Sequence, residues 1–136
     1  MFIKKIKDDQ GELLAKIFSH KLEANGVNFL TDKDNVLQVG LIEHKEDTII
    51  KAHKHAKLEI YSNCQTQEFI FVEKGKVKVK IYNNDFKPME TTMLRQGDFM
   101  LQVSGGHEFL IYKGSRLIEV KQGAYPGDDK AKIYKD

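Results

Sequence analysis

The 136 residues are 40% hydrophobic and 31% charged, an ordinary globular composition sized for a single domain. Twenty-two Lys and Arg against twenty Asp and Glu leave a net charge of +2 with the signs interspersed, and only Arg95 and Arg116 are arginines, so the basic, aromatic-interleaved block of a nucleic-acid binder is missing. No apolar run approaches the roughly 20 residues that span a bilayer, residues 1–10 carry no signal-peptide core, and Cys64 as the single cysteine excludes an internal disulfide framework. The expectation is one cytoplasmic domain over 1–136 without nucleic-acid or membrane partners.

In chain order, Asp9 and Glu12 stand at capping-box spacing ahead of Leu14, Ile17, Phe18 and Leu22. Their i, i+3, i+4, i+8 pattern predicts a short helix over about 10–25, closed by Asn25-Gly26; an extended Lys16-Ile17-Phe18 is the alternative. Short β segments follow over 36–42, 48–53 and 68–72. Lys76, Lys78 and Lys80 then alternate with Val77, Val79 and Ile81, which is the pattern of a strand with one solvated face. Asn83-Asn84-Asp85 marks a hairpin, Gly97-Asp98 leads into 99–103, and 107–112 with 116–121 read as a last hairpin around Gly114. Strands at this spacing predict an all-β chain, an antiparallel sandwich or small barrel over about 28–122, with 123–136 packing at its end. Phe69 and Phe71 share the strand face opposite Glu68, and such an outward pair needs cover from a second layer or a subunit.

His53-Lys54-His55 is the first chemical signal. On a strand, residues i and i+2 share a face about 6.5 Å apart, so two imidazoles can converge on one cation. Further on, six residues separate Glu68 from Gly75, and Gly97-Asp98, an apolar strand and Gly105-Gly106-His107 follow. This arrangement resembles the two motifs of the cupin superfamily over roughly 36–122. The resemblance implies an antiparallel jelly-roll barrel in which His53, His55, Glu68 and His107 bind one divalent metal. The match departs from the usual pattern in a long His55–Glu68 gap, in Val103 where proline is usual and in Ile111 where asparagine is usual. Glu59 stands at the more usual spacing from His55, but on a straight strand it would lie about 13 Å further along, and Glu68 is preferred as the carboxylate. Three imidazoles and one carboxylate suit Zn²⁺, Fe²⁺, Ni²⁺ or Mn²⁺, and an open coordination position would make the ion catalytic.

The stretch from Ile118 to Lys130 is similar to a segment of small bacterial cupins associated with surface-polysaccharide gene clusters. Within it Glu119 and Lys121 share a strand face, and near a metal mouth they could act as acid and base or grip a polar ligand. Packing of the segment over the barrel end through Tyr125 is the alternative. His20 and His44 sit in polar surroundings and read as solvated, and Cys64 has no histidine spaced as a catalytic partner. The resemblance implies a metal-dependent enzyme acting on a polar small molecule, such as a sugar or sugar-nucleotide isomerase or epimerase, and a homodimer. A non-catalytic ligand-binding or regulatory cupin, an Fe-dependent dioxygenase and a metal-free ketoisomerase using histidine as base are the alternatives.

Overall fold

The computed structural model describes residues 2–56, 65–123 and 127–136, so the expectations placed on Glu59, Cys64 and Tyr125 lie outside the described residues. The strands in chain order are β1 (Ile3–Lys7), β2 (Leu13–Phe18), β3 (Gly26–Phe29), β4 (Gly40–Glu43), β5 (Glu68–Lys74), β6 (Lys76–Tyr82), β7 (Pro88–Arg95), β8 (Phe99–Gln102), β9 (Gly106–Ile111) and β10 (Arg116–Lys121), followed by one helical turn, α1 (Asp128–Ala131). The chain is thus predominantly β, and every strand pair is antiparallel. No helix among the described residues is long and apolar enough to cross a membrane.

The chain divides into two compact units, Met1–Lys21 with Gln65–Asp136, and Leu22–Cys64. In the larger unit a five-stranded sheet, β1-β2-β8-β5-β10, faces a three-stranded sheet, β7-β6-β9. Leu14, Ile17, Ile70, Val72 and Met100 of the first sheet and Val77, Val79, Ile81 and Leu94 of the second form one buried cluster. Each such aliphatic side chain contributes about 1.5–3 kcal/mol when withdrawn from water. The alternation read in β6 holds: Val77, Val79 and Ile81 are buried, and Lys76 and Lys78 are exposed.

The expected helix over 10–25 is not formed, and the sheet begins at residue 3 rather than 28. Residues 3–18 are instead a β-hairpin, β1 against β2. Two features of the sequence imitate a helix here. Asp8 Oδ1 accepts the N–H groups of Gln10 and Glu12, both at 2.9 Å, so the acidic cluster caps a turn between strands. In β2 every residue from Leu14 to Phe18 is buried, and a strand covered on both faces loses its period of two.

The expected last hairpin is also rearranged. β9 pairs with β6 and β10 pairs with β5, so consecutive strands enter different sheets. The connection is anchored where they part: Ser115 Oγ donates to Lys76 O at 2.8 Å and accepts the Lys76 N–H at 3.0 Å. Beside it Gly75 turns with φ +79°, and a β-carbon there would run into Ser115, so this β5–β6 turn needs glycine. The divergence lets Phe109 and Leu117 both pack on the core. On the other face of the five-stranded sheet, the Phe99 ring lies 4.8 Å from Phe18 and 5.8 Å from Phe69, so Phe69 belongs to an aromatic row within its own sheet.

In the unit 22–64, β3 and β4 form a hairpin in which Gly26 opposes Glu43 and Phe29 opposes Gly40. Its long loop is tied by Gln38, whose Nε2 donates to the Asp32 carbonyl and whose Oε1 accepts from Thr31 Oγ1, both at 2.9 Å. The strand expected over 36–42 is confined to Gly40–Glu43, and residues 48–53 form no strand. Ile49 is 94% exposed, so the apolar residues that suggested a strand there are not drawn into any sheet.

Candidate active site

β5 is flanked in register by β8 and β10, so Gln102, Glu68 and Lys121 stand side by side across three strands. Directly opposed residues share a face. That face is the inner one, because Ile70 and Val72, two and four residues beyond Glu68, belong to the core. Glu119 opposes Ile70 on the same face, one step from Glu68. From the other sheet His107, opposite buried Ile81, brings Nε2 to 4.0 Å from Glu68 Oε1. Four of the six residues expected to carry chemistry, Glu68, His107, Glu119 and Lys121, therefore meet at one end of the sandwich.

The hydrogen bonds fix which atoms are chemically available. Gln102 Nε2 donates to the carbonyls of Leu14 and Ser104, which leaves Gln102 Oε1 as an acceptor. That oxygen lies 3.1 Å from His107 Nδ1, so Nδ1 carries the hydrogen and Nε2 presents its lone pair toward Glu68. Burial holds His107 below the ordinary imidazole range; nearby Lys121 and Lys132 act in the same direction, against Glu119. Burial is also the main force on Glu68, joined by a hydrogen bond to Glu119 and by its negative charge, and together they push Glu68 up to about 8. Glu119 moves the other way, held below the usual carboxylate range chiefly by the hydrogen bond from Glu68, with Lys121 at 3.3 Å adding to it. At neutral pH Glu68 thus keeps its proton and donates it to Glu119, while His107 is neutral. The His107–Glu68 contact is an acid facing a base, not an ion pair.

This end of the sandwich opens into a cleft of about 730 Å³, lined by Glu68, Tyr82, Phe86, Gln102, His107 and Lys132 among others. Gln102, Phe86 and Lys132 were not expected as functional residues. Gln102 was detectable as the one polar side chain in the apolar run Phe99-Met100-Leu101-Gln102-Val103.

His53 and His55 lie in the unit 22–64, on exposed backbone that forms no strand. Their rings are nonetheless 5.3 Å apart, and His53 Nδ1 donates to the Lys51 carbonyl at 2.8 Å, leaving Nε2 with its lone pair. Among the described residues, no group of three or more His, Cys, Asp or Glu is arranged to hold a metal ion. His20 is exposed, as expected, and is also tied to Asp98, whose Oδ1 accepts both the His20 N–H at 2.9 Å and the Nδ1–H at 3.0 Å. His20 has the polar neighbours that suggested solvation, but the register of β2 with β8 brings it to the turn before Phe99.

Comparison with known proteins gives no matching family model, no matching curated protein and no matching solved structure.

Proposed function

We propose that the protein is a small cupin-type enzyme that moves protons on a polar small molecule, of the sugar class, by isomerisation or epimerisation at Glu68 and His107. The observation that carries this reading is the 4.0 Å approach of the largely buried Glu68 carboxyl to His107 Nε2 in the wall of the cleft, where burial pushes the carboxyl up to about 8. Neighbouring groups whose environments push their protonation apart are the usual pattern of acid–base catalysis. In the proposed division of roles, Glu68 supplies a proton, His107 removes one, Glu119 takes up the Glu68 hydrogen bond, and Lys121 balances the Glu119 charge. Gln102 holds the imidazole in the tautomer that can accept.

The donor set at Glu68 and His107 also suits a divalent cation. An oriented Nε2 with its other nitrogen bonded to an amide oxygen is the arrangement of metal-ligating histidine. A carboxyl deprived of water favours a positive charge beside it. His107 and Glu68 would hold such an ion, which when bound would polarise a carbonyl or hydroxyl as a Lewis acid. The cupin resemblance adds His53 and His55 as further ligands. The proton that Glu68 retains favours the metal-free acid–base enzyme, and the metal-dependent enzyme is the second reading.

Metal analysis of the purified protein, followed by turnover of sugars and nucleotide sugars, separates these. Glu68→Gln and His107→Ala should each lower turnover about a hundredfold or more. In the metal-dependent case His107→Ala, His53→Ala and His55→Ala should also lose bound metal. Turnover unchanged in both Glu68→Gln and His107→Ala would sink the proposed site.

A further inference from the structure

The β6–β7 turn carries a residue in an unfavourable backbone conformation. Phe86 adopts φ 59°, the left-handed region in which a β-carbon crowds the backbone and glycine is the default. The turn leaves it little choice: Asn83 Oδ1 accepts the N–H groups of Asp85 and Lys87, both at 2.9 Å, and the Phe86 N–H donates to Asn83 O at 3.1 Å. A glycine would fit this turn without strain. Core packing does not explain the phenylalanine, because Phe86 stands outside the buried cluster. Its ring meets Tyr82 edge-on at 6.1 Å and lies over the backbone of Gly106, next to His107. From there it lines the cleft that contains Glu68 and His107. Strain of this kind gathers where a side chain is held for use.

The same cleft has a cationic wall. Ala131 to Lys135 of the C-terminal segment line it, with Tyr134 among them. Lys135 Nζ stands 5.3 Å above the Tyr82 ring, and Lys132 lines the same cleft as Glu68 and His107. An aromatic face on one side and two ammonium groups on another make a site for an anion-bearing ring that has a face to stack, an aromatic base or the C–H face of a sugar.

We propose that Phe86 is the stacking platform of the ligand subsite and that Lys132 and Lys135 hold a phosphate on the same ligand, so that the cleft takes a ring-bearing phosphate rather than a neutral sugar. This rests on the proposed function only in placing the reaction at Glu68 and His107. The ring is either the sugar of a sugar phosphate or the base of a nucleotide sugar, and the probes separate the two.

Titration calorimetry on the full chain would use uridine diphosphate, glucose 1-phosphate, uridine and pyrophosphate. At least one of the two ring-bearing phosphates should bind about tenfold or more tighter than uridine or pyrophosphate. Preference for uridine diphosphate identifies the base as the stacked ring, and preference for glucose 1-phosphate identifies the sugar. Phe86→Gly should lose about tenfold in affinity while its Tm holds or rises, because glycine relieves the backbone. Lys132→Ala and Lys135→Ala should weaken binding and flatten its dependence on salt. Glu68→Gln should lose turnover but keep binding. Pyrophosphate binding as tightly as both ring-bearing probes, no binding by either of those, unchanged affinity in Phe86→Gly, or a fall in its Tm would each overturn the inference. If it falls while Glu68→Gln still abolishes turnover, the acid–base reading stands; if Phe86→Gly loses binding and Glu68→Gln keeps turnover, the subsite stands and the acid–base reading falls.

Discussion

The sandwich carries a carboxylate–imidazole pair at each end, and the two pairs are opposites in chemistry. At the end closed by the Gly75 turn, Asp98 is satisfied from several directions: its Oδ2 accepts the Arg95 N–H at 2.8 Å, and its Oδ1 accepts the backbone and ring N–H groups of His20. Burial works against its charge, but those donors outweigh burial and hold Asp98 below the usual carboxylate range. At the open end Glu68 is about as enclosed, with 17% of its side chain exposed against 14% for Asp98, yet burial and the neighbouring Glu119 carboxylate outweigh the charges of Lys121 and Lys132 around it. Similar burial therefore leaves one group ionised and the other protonated, and the donors decide which. The first pair clasps the β2 end to the β7–β8 turn; the second sets a carboxyl of raised pKa beside a cleft.

The largest effect expected from this contrast is on stability. Asp98→Ala strands the N–H groups of Arg95 and His20 and should cost about 2–3 kcal/mol in urea denaturation. Glu68→Gln, whose amide can still donate to Glu119, should change stability by less than about 1 kcal/mol. Equal losses in the two variants would erase the distinction between clasp and site.

Next in size is the dependence of stability on pH. Glu68 lies near 8 in the folded protein and near 4.5 when unfolded, so the folded state holds the extra proton between those values. Its contribution is full below about 4.5 and is lost as pH rises through 8. Wild-type stability should therefore decline between pH 5 and 9 by more than about 1.4 kcal/mol, the equivalent of one pKa unit. Glu68→Gln should be flatter over that range. Asp98 has the opposite sign: its contribution is present above its unfolded value of 3.8 and is lost as pH falls through its lower folded value. Asp98→Asn should blunt the acid limb and leave the alkaline one unchanged.

A smaller effect sharpens the open end alone. Gln102→Leu removes the acceptor at His107 Nδ1 and two donations to main-chain carbonyls, and should cost about 1–2 kcal/mol. Nitrogen NMR of the imidazole should show the two tautomers mixing, and turnover should fall about 10–100-fold. A single unchanged tautomer in that variant would remove Gln102 from its role as the orienting residue. At the bottom of the scale, Lys78→Ala on the solvated face of β6 should stay within about 0.5 kcal/mol of wild type.

Much of the fold was legible residue by residue. The alternation of Lys76–Ile81, the Asn83-Asn84-Asp85 turn and the common face of Glu68, Ile70 and Val72 are local properties, because the pleat alone assigns successive side chains to opposite faces. In β2 burial on both faces erases that alternation, and in 48–53 the apolar residues stay exposed and pair with no strand among the described residues.

By itself, the sequence determined an all-β chain, the glycine turn before β6, and the sharing of one strand face by Glu68, Ile70 and Val72 and of another by Glu119 and Lys121. Tertiary structure alone decided that β9 and β10 part into different sheets, that Gln102 stands beside Glu68, and that His107 arrives from the opposite sheet. It also decided that Phe86 is held strained at the rim of the cleft. The physical reason is range: side-chain alternation is fixed within a few residues, whereas strand order and the donors around a buried carboxyl depend on segments brought together by pairing across the whole sandwich.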